Sequence, residues 1–85
     1  MKILYSSQFL RKYKQLPEEV REKLKKRGKI FRDNPFDARL KTHKLQGELR
    51  EFWAFSVDFK YRVIFKFDGK SVAKFYNIGG HSIYF

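Results

Sequence analysis

Phe52-Trp53-Ala54-Phe55-Ser56-Val57-Asp58-Phe59-Lys60-Tyr61-Arg62-Val63-Ile64-Phe65-Lys66-Phe67 is the stretch that decides the fold. Trp53, Phe55 and Val57 share one parity, as do Tyr61, Val63, Phe65 and Phe67. Aromatic and β-branched side chains in that alternation suit a pleated, half-buried surface. Ala54 and Ser56 alternate with the first set, and Arg62, Ile64 and Lys66 with the second. Each strand therefore offers one side to a core and the other to a ligand. Asp68-Gly69 is a tight hairpin signal, because glycine tolerates the positive φ of a primed turn. Asp58-Phe59-Lys60 makes a looser connection. With Ser71 to Ile78 added, the pattern predicts three consecutive antiparallel strands at about 52–57, 61–67 and 71–78.

Upstream, Met1 to Tyr5 reads as a short strand that must pair with the later sheet, since alone it leaves its backbone unsatisfied. Ser6 or Ser7 can cap a helix with Phe9, Tyr13 and Leu16 on one face. Leu16-Pro17 ends it and opens a second helix, whose Glu18 and Glu19 complement the positive end of the dipole. Val20, Leu24 and Phe31 form its buried stripe, Gly28 marks a place where two helices can approach closely, and Asp33-Asn34-Pro35 stops it. The predicted architecture is α+β: an N-terminal strand, a two-helix hairpin and a three-stranded antiparallel meander, with the helices packed on one sheet face. Phe36 to Glu51 is a basic connector of little periodicity, broken by Gly47 and long enough to suggest a functional loop.

Residues 1–85 make one domain, with room for a single core and a shallow groove but not for a deep pocket. There is no cysteine, which excludes disulfides and thiolate metal sites and suits a reducing cytoplasm. No apolar run reaches membrane-spanning length. Twenty Lys plus Arg against nine Asp plus Glu give a net charge of +11, which points to a polyanion or an acidic protein as partner.

The two histidines, His43 and His81, match no metal-binding spacing, and Gly79-Gly80 is followed by no helix that would make a phosphate loop. No cofactor or metal is expected. What remains is a set suited to cleaving RNA by attack of its own 2′-OH. That reaction needs a proton acceptor, a proton donor for the leaving 5′-oxygen, and cations to hold the charge that builds on phosphorus. His81 is the natural acid or base, because imidazole titrates near neutral pH. Arg62 is the natural phosphate clamp, because its fork holds two oxygens at once. His43, Lys44 and Arg50 reach over from the loop, Lys66 adds a cation to the strand, and Tyr84 and Phe85 can hydrogen-bond or stack on a base. The competing readings are a solvent-exposed tail histidine for His81 and an ion pair with Asp58 or Glu51 for Arg62.

Leu40-Lys41-Thr42-His43-Lys44-Leu45-Gln46-Gly47, Tyr61-Arg62-Val63-Ile64-Phe65 and Ile78-Gly79-Gly80-His81-Ser82-Ile83-Tyr84, preceded by a short strand and two basic helices, resemble the RelE/ParE superfamily of toxin–antitoxin toxins. The likeness spans nearly the whole chain and is strongest to the RelE and YafQ-type branch. It implies a toxin of a type II toxin–antitoxin system, a metal-independent mRNA endonuclease that acts on the ribosome, contacts ribosomal RNA and is neutralised by an acidic antitoxin. By the same resemblance His81 is the general acid or base, Arg62 the phosphate-stabilising arginine, His43 a second active-site histidine and Phe85 the terminal aromatic. The family's catalytic lysines fall at Trp53 and Phe55 here, and a further YafQ-type histidine at Ser56. That shifts the work onto His81, His43 and Arg62 and leaves room for weak activity. Two other readings stay open: a ParE-like inhibitor of DNA gyrase that does not cleave, and a non-catalytic RNA-binding module.

Overall fold

A computed structural model describes residues 1–80. The chain runs β1 (Lys2–Tyr5), α1 (Ser7–Gln15), α2 (Glu18–Asp33), β2 (His43–Lys44), β3 (Trp53–Ser56), β4 (Arg62–Phe67) and β5 (Val72–Gly79). The strands form one five-stranded sheet in the order β1-β5-β4-β3-β2. The expected meander is its antiparallel centre, and β1 pairs with β5 in parallel at the edge. A parallel pair needs a crossover, and α1 and α2 supply it.

Ser6 fixes where that crossover begins. Its Oγ accepts from the Phe9 amide at 3.0 Å, capping α1, and donates to the Tyr76 carbonyl at 2.9 Å, tying the cap to β5. Pro17 is the N-cap of α2, one position earlier than a first-turn residue, and its carbonyl accepts from the Val20 and Arg21 amides. Phe9, Leu16, Val20, Leu24 and Phe31 bury against Phe55, Val63, Phe65, Ala73, Phe75 and Ile78, so both helices cover one sheet face. Gly28 departs from expectation. A side chain there meets nothing within 4 Å, because Gly28 lines a groove of about 550 Å³ bordered by α1, α2 and the sheet instead of a close crossing.

The connector 36–51 is more ordered than its sequence suggests. It holds two 3₁₀ turns, Ala38–Leu40 and Gly47–Leu49, around the two-residue strand β2. Leu40 is fully buried, and Lys41 at φ 52° turns the chain back so that His43 and Lys44 reach β3. A bulge between the Ile64–Asn77 and Phe65–Phe75 pairs inserts Tyr76 into β5. Strict alternation cannot put both Phe75 and Ile78 on the core face; the extra residue does.

Candidate nucleic-acid interface

The sheet face away from the helices is the open one. Directly opposed residues point to the same side, so the pairing defines its rows. His43, Ala54, Ile64 and Asn77 form one row, Ser56, Arg62 and Gly79 a second, and Lys66 with Lys74 a third. Ala54 and Ile64 are buried yet lie outside the helix-side core, and they give this face an apolar floor.

Arg62 stands in the row between Ser56 and Gly79, and its Nη1 donates to the Phe59 carbonyl at 3.2 Å. Among the described residues the carboxylates that were candidate partners are engaged elsewhere: Asp58 with Lys23 at 3.4 Å and Glu51 with Lys66 at 3.6 Å. One guanidinium edge is thus anchored to backbone, and among the described residues no carboxylate pairs with the remaining donors. The 58–61 turn holds that anchor in place. Asp58 Oδ1 accepts from the Lys60 amide at 2.9 Å and from the Tyr61 amide at 2.7 Å. Burial pushes the Asp58 carboxyl up, but the amides of Tyr61 and Lys60 and the Lys23 ammonium outweigh it and hold the group below its ordinary value. A carboxylate with a depressed folded pKa adds stability above its unfolded pKa, about 3.9, and loses it as pH falls through the lower folded value. Asp58→Asn is therefore expected to lower the melting temperature at pH 7 and to lessen the loss of stability below about pH 4; melts between pH 7 and pH 3 check it.

His43 lies on the open face two strands from Arg62 and two residues along, roughly 12 Å away from the strand spacings. Its Nδ1 sits 3.0 Å from the Lys41 carbonyl, a contact that needs a proton on Nδ1 and leaves Nε2 as the acceptor of the neutral ring. Lys44, opposite Trp53, points to the helix side of the sheet edge, away from His43. Arg50 is exposed and donates to the Gly47 carbonyl at 3.4 Å. Arg39 is taken by Asp37, which accepts from its Nε and Nη2 at 2.9 Å; these bonds pull the Asp37 carboxyl down to about 2. Lys66 lies on the open face in the third row. His81, Tyr84 and Phe85 lie outside the described residues; the described chain ends at Gly80, just past the Gly79–Arg62 pair.

Three open-face residues were not picked out from the sequence: Phe52, Lys74 and Tyr76. The Phe52 and Tyr76 rings meet edge to face at 5.3 Å, with Lys66 and Lys74 against them. Phe52 has the parity of Ala54 and Ser56, a usable signal. The break in parity between Phe75 and Ile78 was the signal for the bulge at Tyr76.

No family model and no curated protein sequence matches the chain. Solved structures do. YafQ from Escherichia coli BL21(DE3) superposes with a TM-score of 0.81 at 26% identity, covering 99% of this chain and 97% of that one. YafQ in the E. coli DinJ-YafQ toxin-antitoxin complex gives 0.78 at 26% identity over 99% of this chain and 96% of that one. The chain belongs to the RelE/YafQ-like toxin superfamily. The YoeB/ParE toxin of Agrobacterium tumefaciens, at 16% identity and a TM-score of 0.80 over 95% of this chain and 99% of that one, shares the fold. In this RelE/YafQ-like chain Trp53 is half-buried against the core and Phe55 is fully buried on the helix side. A lysine working on the open face therefore cannot stand at either position. The side chains that the 52–56 segment offers there belong to Phe52, Ala54 and Ser56.

Proposed function

We propose that the chain is the toxin of a type II toxin–antitoxin pair and an endoribonuclease that cuts mRNA on the ribosome. The observation that carries this reading is Arg62: a carbonyl-anchored guanidinium on an open sheet face, paired with no described carboxylate and set opposite Gly79, two residues before His81. RNA lies across the face with the scissile phosphate on Arg62. His81 and His43 divide the proton work. One takes the 2′-OH proton as that oxygen attacks the adjacent phosphorus, and the other protonates the departing 5′-oxygen, giving a 2′,3′-cyclic phosphate and a free 5′-OH. Arg62 holds the charge on the equatorial oxygens as it builds. Lys44 and Arg50 lie at the margin, where they suit ribosomal RNA better than the reacting phosphate. Tyr84 and Phe85 hydrogen-bond to or stack on a base of the bound RNA. Induction in cells, read as growth arrest together with cut messages, tests this. Arrest with intact messages would favour the gyrase reading, and RNA binding without arrest the binding module.

The antitoxin reading draws support from the DinJ-YafQ complex and from the helix-side groove. Ile3, Tyr5, Phe9, Leu10 and Tyr13 line the groove and Lys25, Lys26, Lys29 and Arg32 rim it, which suits an acidic amphipathic segment. The double variant Lys29→Glu, Arg32→Glu is expected to weaken capture of an acidic antitoxin about tenfold or more at low salt, the gap closing as salt rises. Calorimetric titration at two salt concentrations checks it.

A further inference from the structure

Lys66 and Lys74 stand directly opposite each other on β4 and β5, an arrangement that costs a sheet stability. The fold gives little relief. Glu51 comes within 3.6 Å of Lys66 from a side chain that is 77% exposed, and no described carboxylate pairs with Lys74. Both ammonium groups lie against rings instead: Lys66 4.6 Å from the Phe52 centroid and 5.8 Å from that of Tyr76, Lys74 5.2 Å from that of Tyr76. Two cations held together beside two half-exposed rings, without a net anion of their own, make a site that an anion with an aromatic face would complete.

We propose that Phe52, Lys66, Lys74 and Tyr76 form a nucleotide subsite for single-stranded RNA, in which a base stacks on the aromatic pair and its phosphate lies between the two lysines. This rests on the reading that RNA crosses the open face. Lys66 is four residues along β4 from Arg62 on the same side, roughly 13 Å, so the subsite grips a nucleotide flanking the cut and not the reacting phosphate. The long lysine stems let the ammonium groups swing from ring to phosphate, which bares the ring faces for the base. The subsite thereby sets register: a base held here fixes which phosphate reaches Arg62.

The test is fluorescence anisotropy with a labelled, 2′-O-methylated single-stranded RNA decamer, which cannot be cut, so that binding is read apart from cleavage. Tyr76→Leu is expected to raise Kd about tenfold or more. Lys74→Gln is expected to raise Kd and to reduce the slope of log affinity against log salt by about 0.7. Lys14→Gln, on α1, removes the same charge from an exposed position on the other side of the sheet, outside the groove, and is expected to change Kd by less than about twofold, since it loses only general attraction. Tyr76→Leu and Lys74→Gln binding like wild type would overturn the subsite, as would Lys14→Gln matching Lys74→Gln. Thermal melts confirm folding, and the half-exposed Lys74 carries the test alone if Tyr76→Leu does not fold. Cutting of unmodified RNA by the wild type is scored separately. Cutting with unchanged binding in the variants removes the subsite and leaves the nuclease. Subsite-dependent binding without cutting supports the subsite and removes the nuclease.

Discussion

Arg62→Ala is expected to abolish message cleavage and growth arrest in cells where the wild type produces both, with the single-turnover cleavage rate falling about 10²–10³-fold. The magnitude follows from its role. A preorganised donor aimed at charge that develops only in the transition state affects the chemical step more than binding, so KM should move far less than kcat. Arg62→Lys separates fork from charge: a lysine keeps the cation but loses both the bidentate grip and the anchor on the Phe59 carbonyl, and should restore only part of the rate. His81→Ala should cost about 10²–10⁴-fold as a lost proton-transfer group. Circular dichroism on each variant excludes unfolding as the cause, which is a mild requirement at Arg62 because its side chain packs on the open face and not in the core. Growth arrest that persists with intact messages in wild type and variants alike would sink the nuclease in favour of a binding toxin. A wild type that binds RNA but neither cuts nor arrests growth would leave a binding module.

Much of this frame was legible in the sequence, for reasons that differ from element to element. The central strands carry a period-2 pattern over enough residues to be unambiguous, and Asp68-Gly69 marks the hairpin between two of them, with Gly69 at φ 80°. The connection is the longer 68–71 loop, closed by the Asp68 amide on the Val72 carbonyl at 2.8 Å, and Asp68 lacks the positive φ of the expected primed turn. The helix stripe Val20, Leu24, Phe31 is buried as its spacing requires. β2 was not legible, because two residues cannot show a period; His43 and Lys44 reach β3 through the left-handed turn at Lys41, a conformation that the residue type does not advertise. The same two-residue strand explains why the cations of the connector do not act as a group. His43 and Lys44 are neighbours in sequence and face opposite sides in the sheet, while Arg39 is drawn off by Asp37. Gly28 misled for a related reason, since a glycine between apolar positions signals close approach only where the partner helix crosses at that point. The candidate site was legible as chemistry in Arg62 and His43. Its aromatic part was not, because the Phe52–Tyr76 contact depends on a bulge that moves one residue of β5 out of alternation.

Phe31→Ala is the stability counterpart of Arg62→Ala. Phe31 has no exposed surface and sits where α2 meets the sheet, with its ring centroid 5.1 Å from Phe55, 4.9 Å from Phe65 and 5.2 Å from Phe75. Those rings come from three separate strands, so the side chain is the point at which α2, β3, β4 and β5 are held to one another. Truncating a buried phenylalanine costs about 3–5 kcal/mol through lost transfer energy and the cavity left behind. Rings that lock one another edge to face cannot easily close over the hole, which places this site toward the upper end of that range. In a domain of this size each kcal/mol lowers Tm by about 4–8 °C, so a drop of roughly 12–40 °C is expected, large against a total stability of about 5–15 kcal/mol. Phe59→Ala is the control, since its side chain is 91% exposed and its loss should leave Tm within about 3 °C. Thermal melts of both variants beside the wild type decide the matter. Equal Tm values for Phe31→Ala and Phe59→Ala would mean that α2 is not pinned to the sheet through this ring. A large loss confined to Phe31→Ala, followed by loss of growth arrest in cells, would tie growth arrest to the core that holds β3, β4 and β5 together behind Arg62.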